Sequence, residues 1–207
     1  MTKELKMNGR AIAELVFHLG RIATGEGLVE GLTAAQWAAL RYFAKANRFS
    51  RTPSAFAAFH GTTRGTASQT IKSIETLGYL IRMRSEEDRR SVQFVLTEKA
   101  RDILENDPLE SLVRAADSLP PSVSSHFTNT LQRMLGHVTQ ERGKPLFGTC
   151  TSCQYLRSDG CCREGQAPYE CGLTSEPLLQ EELEGVCINF VLGKPMTMKG
   201  PVTVTRT

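Results

Sequence analysis

The first half of the chain repeats apolar residues with the period of an α-helix. Spacings of three and four between residues 8 and 24 predict an amphipathic helix there. A second helix is predicted to begin at Thr33, because Thr33 and Gln36 have the spacing of a capping box. Pro53 suits the first turn of a short third helix over residues 53–59. The apolar residues that recur in the first helix are Ala11, Leu15, Leu19 and Ile22. The residues expected on the buried face of the second are Trp37, Leu40, Phe43 and Ala44.

A glycine-containing turn and a longer fourth helix follow. Gly61 separates the two helices, Thr62 or Thr63 can cap the longer one, and Gly78 can end it in a left-handed conformation. Its buried stripe is predicted to be Ala67, Ile71, Ile74 and Leu77. A helix-turn-helix reads the DNA major groove with small, polar and basic residues on the exposed face of its second helix. Here that face carries Arg64, Gly65, Thr66, Ser68, Gln69 and Lys72.

Residues 79–97 change to the two-residue period of β-strands. Leu80, Met83, Val92, Phe94 and Leu96 fit two strands around a polar loop at residues 85–90. A hairpin directly after a candidate recognition helix is typical of a wing, whose tip can enter an adjacent minor groove. The basic residues of this hairpin are Arg82, Arg84, Arg89 and Arg90.

The cysteines divide the 207-residue chain into two modules. All six lie between residues 150 and 187. Residues 1–145 carry 20 Lys/Arg against 15 Asp/Glu, whereas residues 146–207 carry 5 against 7. We therefore predict a mainly helical module over residues 1–145, a small loop-rich cysteine module over residues 146–190 and a tail over residues 191–207.

Several function classes are not expected. No apolar run reaches the roughly 18 residues of a transmembrane helix. The N-terminal residues lack the pattern of a secretory signal, so the expected location is the cytoplasm, without a membrane partner. No nucleophile elbow, Walker loop or dinucleotide fingerprint is present, so we expect no catalytic residues and no enzyme activity.

The sequence of the first module resembles the winged helix-turn-helix repressors of the MarR family. The resemblance covers roughly residues 8–141 and depends on the stretches TTRGTASQ, LGYL and Asp88-Arg89-Arg90 before Leu96-Thr97. It implies an obligate homodimer that binds a palindromic double-stranded operator. The dimer interface would include the N-terminal helix and two C-terminal helices, Thr97–Leu119 and Pro121–Glu141. The residues expected to contact DNA are Arg64, Thr66, Ser68, Gln69, Lys72, Arg84, Asp88, Arg89 and Arg90.

The cysteine module contains one C-x2-C pair, Cys150 and Cys153, followed by Cys171 and Cys187 at long spacings. It contains no histidine, so a four-ligand site would consist of thiolates alone. Thiolate chemistry suits zinc and an iron–sulfur cluster equally, and a thiol/disulfide switch is a third possibility. A zinc ribbon normally has a second C-x2-C knuckle, which this module lacks.

The spacing and the flanking residues resemble high-potential iron–sulfur proteins over about 45 residues. The matching elements are C-x2-C-Gln-Tyr, Tyr-x-C-x-Leu and Gly-x-C-x-x-Phe. The resemblance implies a [4Fe–4S] cluster on Cys150, Cys153, Cys171 and Cys187. Cys161 and Cys162 have no counterpart in that family and are expected to be spectators, reserve ligands or an oxidisable pair. The implied apolar shell is Tyr155, Tyr169, Leu173, Phe190 and Phe147.

Together the two modules predict a homodimeric transcription regulator, most simply a repressor. Its cluster would sense redox state, oxygen, nitric oxide or iron. Two alternatives remain open at this stage. One is a zinc-stabilised regulator of the same family that responds to a small ligand, and the other is an electron-transfer protein.

Overall fold

The computed structural model describes residues 8–23, 29–84, 92–158 and 168–193. The chain divides into two compact units. The first unit contains Met1–Ala44 and Arg51–Lys144, and the second contains Lys45–Ser50 and Pro145–Thr207. The six residues 45–50 therefore group with the cysteine-rich part, although they lie between two helices of the first unit.

The first three helices begin where the sequence predicts. Helix α1 spans Gly9–Ala23, α2 spans Ala34–Lys45 and α3 spans Pro53–His60. The capping box of α2 is formed: Thr33 N donates to Gln36 Oε1 over 2.8 Å, and Gln36 N donates to Thr33 Oγ1 over 3.3 Å. These reciprocal bonds satisfy two of the backbone donors that every helix leaves open at its N-terminus.

Helix α4 spans Arg64–Thr76 and follows a left-handed turn at Gly61, whose φ is 62°. Thr63 is its N-cap, with its Oγ1 accepting from Thr66 N over 3.1 Å. Gly78 lies just beyond the helix with a φ of 79°. Glycine adopts this conformation without a steric penalty, and the predicted end of the helix is confirmed.

Two predicted core positions are wrong. Ala44 is exposed, and Tyr42 is buried instead, with its ring 5.2 Å from Phe43 and 5.4 Å from Phe56. Leu77 is 42% exposed because it is the C-cap residue of α4, beyond the last full turn of the buried stripe. The apolar contacts continue instead through Tyr79 and Leu80 at the start of the next strand. The remaining residues predicted on the buried faces of α2 and α4 are buried, namely Trp37, Leu40, Phe43, Ala67, Ile71 and Ile74.

A two-stranded antiparallel sheet follows α4. Strand β1 spans Leu80–Arg84 and β2 spans Val92–Leu96, with Leu80 opposite Leu96 and Arg84 opposite Val92. Phe94 at the centre of β2 is buried, whereas Met83 is exposed. The hairpin of the wing is therefore confirmed, and its connecting residues 85–91 lie outside the described part of the chain.

Three helices complete the first unit: α5 at Glu98–Leu104, α6 at Glu110–Asp117 and α7 at Pro121–Glu141. The prediction of one helix over residues 97–119 is wrong, because Asp107 turns away to bind Arg41 of α2. Arg41 Nε donates to Asp107 Oδ1 and Oδ2 over 2.9 and 2.7 Å. Leu109 N also donates to Asp107 Oδ1, over 2.8 Å, and Pro108 has no backbone donor with which to continue α5.

The second unit contains a three-stranded antiparallel sheet of short strands. Strand β3 spans Leu156–Arg157, β4 spans Tyr169–Cys171 and β5 spans Glu176–Leu178, in the order β3-β4-β5. Ala46 forms a parallel bridge with Val186, so residues 45–50 add backbone pairing outside this sheet. No helix in the described ranges has the length and hydrophobicity that crossing a membrane requires.

We expect Asp107→Ala to lower the free energy of unfolding by about 3 kcal/mol, because it leaves a largely buried guanidinium without its partner. The Arg41 and Asp107 side chains are only 15% and 10% exposed. Glu98→Ala is the matched control, since it removes an exposed ion pair to Arg101 and should cost less than about 1 kcal/mol. Urea unfolding at one fixed protein concentration measures both. Equal losses would contradict a structural role for Asp107.

Candidate nucleic-acid interface and cysteine cluster

One side of helix α4 is fixed by its buried apolar stripe and by a hydrogen bond from α2. Ala67, Ile71 and Ile74 are buried, and Gln36 Nε2 donates to Ser73 Oγ over 3.1 Å. The opposite face is open. All five predicted DNA-contacting residues of this helix are exposed, namely Arg64, Thr66, Ser68, Gln69 and Lys72.

Thr66 differs from the other four exposed residues, because its side chain is engaged at the cap of the helix. The Thr66 and Thr63 hydroxyls lie 2.9 Å apart, so Thr66 helps to fix the start of the helix. The first turn of α4 contains no acidic residue, and its net charge favours a polyanion. A single helix thus presents short polar side chains between Arg64 and Lys72, as major-groove reading requires.

The wing carries the other predicted DNA contacts. Arg84 is the last residue of β1. Asp88, Arg89 and Arg90 lie outside the described residues, so their predicted role stays a prediction. Arg82 is 4.0 Å from the Glu75 carboxylate at the end of α4, and its guanidinium lies 5.6 Å from the Phe94 ring centre. Arg82 therefore connects the recognition helix with the hairpin.

The four predicted ligand cysteines come from three places in the second unit. Cys150 begins a short 3-10 turn and donates its backbone N–H to Leu183 O, and Cys153 N donates to Cys150 O over 2.9 Å. Cys171 ends β4, and Cys187 N donates to Gly148 O over 2.9 Å. All four are free thiols, with Cys150 and Cys187 buried and the other two partly exposed.

These four side chains share one electrostatic environment. Burial raises the pKa of the Cys150 thiol to about 12, and the nearby groups that raise it further are Cys187, Cys153, Cys171 and the Glu182 carboxylate. Burial also raises the pKa of Cys187, to which Cys153 and Cys171 contribute, while hydrogen bonds from Asn47 and Asn189 lower it. Four thiolates at these positions therefore need a cation among them to be stable together.

An apolar shell surrounds Cys150. Leu178 and Leu183 are buried beside it. The partly buried side chains that pack against this group are Phe49, Leu156, Tyr169 and Cys171. The predicted shell is right for Tyr169 and wrong for Leu173, which is 49% exposed because it lies in the turn after β4. Phe190 is buried against Gly148, where a Cβ would stand 2.6 Å from its ring.

Within the described ranges, no three histidine, cysteine, aspartate or glutamate side chains are arranged to hold a single metal ion. Four thiolates on one zinc ion would stand only about 3.8 Å apart, given Zn–S bonds of about 2.3 Å in a tetrahedron. Thiolates on a four-iron cluster bind four different iron atoms, so their sulfurs stand further apart. Cys161 and Cys162 lie outside the described residues.

Residues 45–50 contribute side chains that the sequence does not associate with the cysteines. Arg48 forms ion pairs with Glu176 and Glu182 at 3.8 and 3.7 Å. Asn47 is buried, and its amide oxygen accepts from Ser50 Oγ over 2.9 Å. Sequence analysis missed these contacts because about 140 positions separate Asn47 from Cys187.

Comparisons with known proteins concern the first unit. Residues 30–91 match the sequence profile of the MarR family. No curated protein is significantly similar to the chain in sequence. A MarR transcriptional regulator from Methanosarcina mazei Go1 is 25% identical, with a TM-score of 0.51, over 64% of this chain and 96% of that one.

Two further solved structures share the fold at lower identity. CouR from Rhodococcus jostii RHA1, solved with p-coumaroyl-CoA, is 19% identical with a TM-score of 0.52, over 64% of this chain and 95% of CouR. MepR from S. aureus, solved in complex with DNA, is 16% identical with a TM-score of 0.53, over 65% of this chain and 99% of MepR. MarR-family proteins are DNA-binding transcription regulators and not enzymes. Residues 30–91 are therefore similar to the MarR family in sequence, and the α2–α4 helices and the β1–β2 hairpin give this part of the chain the order of elements of a winged helix.

Proposed function

We propose that this protein is a homodimeric transcription regulator that binds a palindromic DNA operator and senses redox state, oxygen, nitric oxide or iron. The sensor would be a [4Fe–4S] cluster held by Cys150, Cys153, Cys171 and Cys187. One observation carries the proposal. A DNA-reading fold and four mutually interacting free thiols occur in the same chain.

The exposed face of α4 supports DNA binding. Residues Ser68 and Gln69 lie on its outer face, between the cations of Arg64 and Lys72. In this fold the recognition helix enters the major groove with its N-terminal residues at base edges. Arginine and lysine would bind phosphates or guanine, and glutamine can form two bonds to adenine.

We expect Gln69→Ala to weaken binding of the selected duplex about 5- to 150-fold, which corresponds to about 1–3 kcal/mol. The probe is the duplex that the wild-type protein enriches from a random library, compared with a scrambled duplex in fluorescence anisotropy. Gln140→Ala, at an exposed glutamine of α7, is the matched control and should leave both affinities unchanged. Equal losses on selected and scrambled duplexes would place Gln69 on the phosphate backbone.

Exposed apolar side chains support the homodimer. The described part of α7 has no buried residue, although α7 is the longest helix described. An exposed apolar face of this extent needs a partner to exclude water. The large apolar residues exposed on α1, α6 and α7 are Ile12, Leu15, Val16, Phe17, Leu19, Ile22, Val113, Val123, Phe127, Leu135 and Val138.

We expect Phe127→Asp to shift the protein from dimer to monomer, because it places a charge within the apolar face of α7. Light scattering after size exclusion measures the mass. Asn129→Asp, two residues away on the opposite side of the helix, introduces the same charge and should remain dimeric. A Phe127 variant that keeps the wild-type mass would contradict an interface at α7.

The donor set fits a four-thiolate group. The unit holds four free cysteines, two of them buried, and Cys150 and Cys171 pack against its apolar core. Their thiolates would repel one another without a cation. When bound, an iron–sulfur cluster supplies one-electron redox chemistry and reactivity toward oxygen and nitric oxide. The chain's own part is to hold the thiolates, to exclude water through Tyr169 and Phe190, and to limit access by solvent.

We expect each of Cys150→Ser, Cys153→Ser, Cys171→Ser and Cys187→Ser to lose most of its iron and acid-labile sulfide, because one missing thiolate opens the cluster. Cys161→Ser and Cys162→Ser are the matched controls and should retain both. Iron, zinc and sulfide are assayed on anaerobically purified protein. Far-ultraviolet circular dichroism should stay native, because the first unit contains no cysteine.

The same assays separate the alternatives. Stoichiometric zinc without sulfide in the wild-type protein would favour the zinc-stabilised regulator and overturn the cluster. A cluster in a protein without salt-dependent duplex binding would favour electron transfer. Retention of iron and sulfide in the Cys171 variant, with their loss in the Cys161 or Cys162 variant, would mean that the proposed ligand set is wrong.

A further inference from the structure

Residues 45–50 enclose Cys187 from one side of the second unit. Val186 N donates to Lys45 O over 2.7 Å, and Asn47 N donates to Val186 O over 3.0 Å. On the other side of the cysteine, Ile188 N donates to Ser50 Oγ over 2.8 Å. Both sequence neighbours of Cys187 are therefore hydrogen-bonded to this one segment.

The Asn47 amide nitrogen is left without an acceptor within the described part of the chain. Ser50 Oγ, which already accepts from Ile188, donates to Asn47 Oδ1, and this bond fixes which way the amide points. Asn47 Nδ2 is buried and has no hydrogen bond of ordinary geometry within the described part of the chain. Asn47 is 6% exposed, so no bulk water can satisfy this donor. A buried N–H without an acceptor is costly, and a partner for it is expected.

We assign the Cys187 sulfur as the acceptor, because both sequence neighbours of Cys187 are hydrogen-bonded to residues 45–50. Asn47 already lowers the pKa of that thiol, an effect that opposes the rise caused by burial. A neutral thiol is a weak acceptor, which is consistent with a bond that is not fully formed. A metal-bound thiolate carries negative charge and accepts an N–H much more strongly.

We propose that Asn47 is a positioning residue that donates an Nδ2–H···S hydrogen bond to the cluster-bound Cys187 thiolate and ties residues 45–50 to the state of the cluster. This inference rests on the proposed cluster. Hydrogen bonds to cluster sulfurs stabilise the reduced, more negative state. The bond therefore raises the reduction potential, and it strengthens when the cluster is reduced.

The close approach of Gly185 supports the placement of Asn47. A Cβ at Gly185 would stand 2.8 Å from Asn47 Cβ and 3.2 Å from its backbone N. Only a glycine leaves room for the Asn47 backbone at this point. Residues 45–50 also hydrogen-bond to Val186 and Ile188, so a movement of the segment away from residues 185–188 would break several contacts together.

The test compares Asn47→Ala and Asn47→Leu with Asn189→Ala in anaerobic, cluster-loaded protein. Asn189 is the matched control, because its backbone contacts the Cys187 sulfur and its side chain is exposed. We expect both Asn47 variants to retain iron and sulfide, with a reduction potential shifted to a more negative value in potentiometric titration. The Asn189 variant should keep the wild-type potential.

A second measurement uses the wild-type protein and does not depend on variants that fold. Asparagine labelled with ¹⁵N only at its side-chain amide is incorporated, and pulsed electron paramagnetic resonance is recorded on the paramagnetic cluster. We expect one coupled ¹⁵N, which disappears in Asn47→Ala. A wild-type cluster without this coupling, or Asn47 variants with unshifted potentials, would overturn the inference and leave the cluster standing. Zinc without sulfide in the wild type would overturn both.

The link to DNA is tested in the same preparations. We expect wild-type protein to bind the selected duplex with different affinities when oxidised and reduced, and the Asn47 variants to reduce that difference to less than twofold. A full redox response in the Asn47 variants would overturn the link through residues 45–50.

Discussion

Residues 45–50 run from the last residue of α2 toward α3, yet they form hydrogen bonds with Val186 and Ile188 of the cysteine unit, and that unit depends on this constraint. Helix α2 ends at Lys45 and α3 begins at Pro53, so residues 45–50 are part of the chain path into the helix-turn-helix. Their backbone partners, however, are Val186 and Ile188. These hydrogen bonds cannot form until residues 186–188 are in place, although residues 45–50 come about 140 positions earlier in the chain.

The cysteine unit gains from this arrangement because it is too small to fold on its own apolar core. Its strands are two or three residues long, and its buried apolar side chains are few. Units of this size normally need a metal, disulfides or a partner to be stable. Phe49 extends the apolar core beside Cys150. Arg48 forms ion pairs with two carboxylates, and one of them, Glu182, contributes to raising the pKa of the Cys150 thiol. The four thiolates would supply the remaining stability through the group they hold.

Local chemistry made much of the first unit predictable. The capping box of α2, the cap at Thr63 and the left-handed glycines at 61 and 78 each depend on residues within four positions of one another. The break between α5 and α6 was missed because it depends on Arg41, 66 positions away from Asp107. In the second unit the resemblance to high-potential iron–sulfur proteins implies one ligand set of four cysteines, and that set stays a prediction. The role of Asn47 could not be read from sequence, because an isolated asparagine in a loop carries no periodicity or motif.

The position of residues 45–50 suggests how a change at a sulfur can reach DNA through covalent structure. Ser50 is followed by Arg51, whose carbonyl accepts from Phe94 N in the wing strand over 2.8 Å, and by Thr52, which caps α3. Two elements, β2 and α3, therefore meet within two residues of Ser50, and α3 is joined to α4 through the turn at Gly61. Two recognition helices must match successive major grooves, so a small displacement at this point is costly for operator binding. A hydrogen bond that strengthens on reduction of the proposed cluster would act at a segment that is joined by the chain and by one hydrogen bond to both α3 and the wing strand.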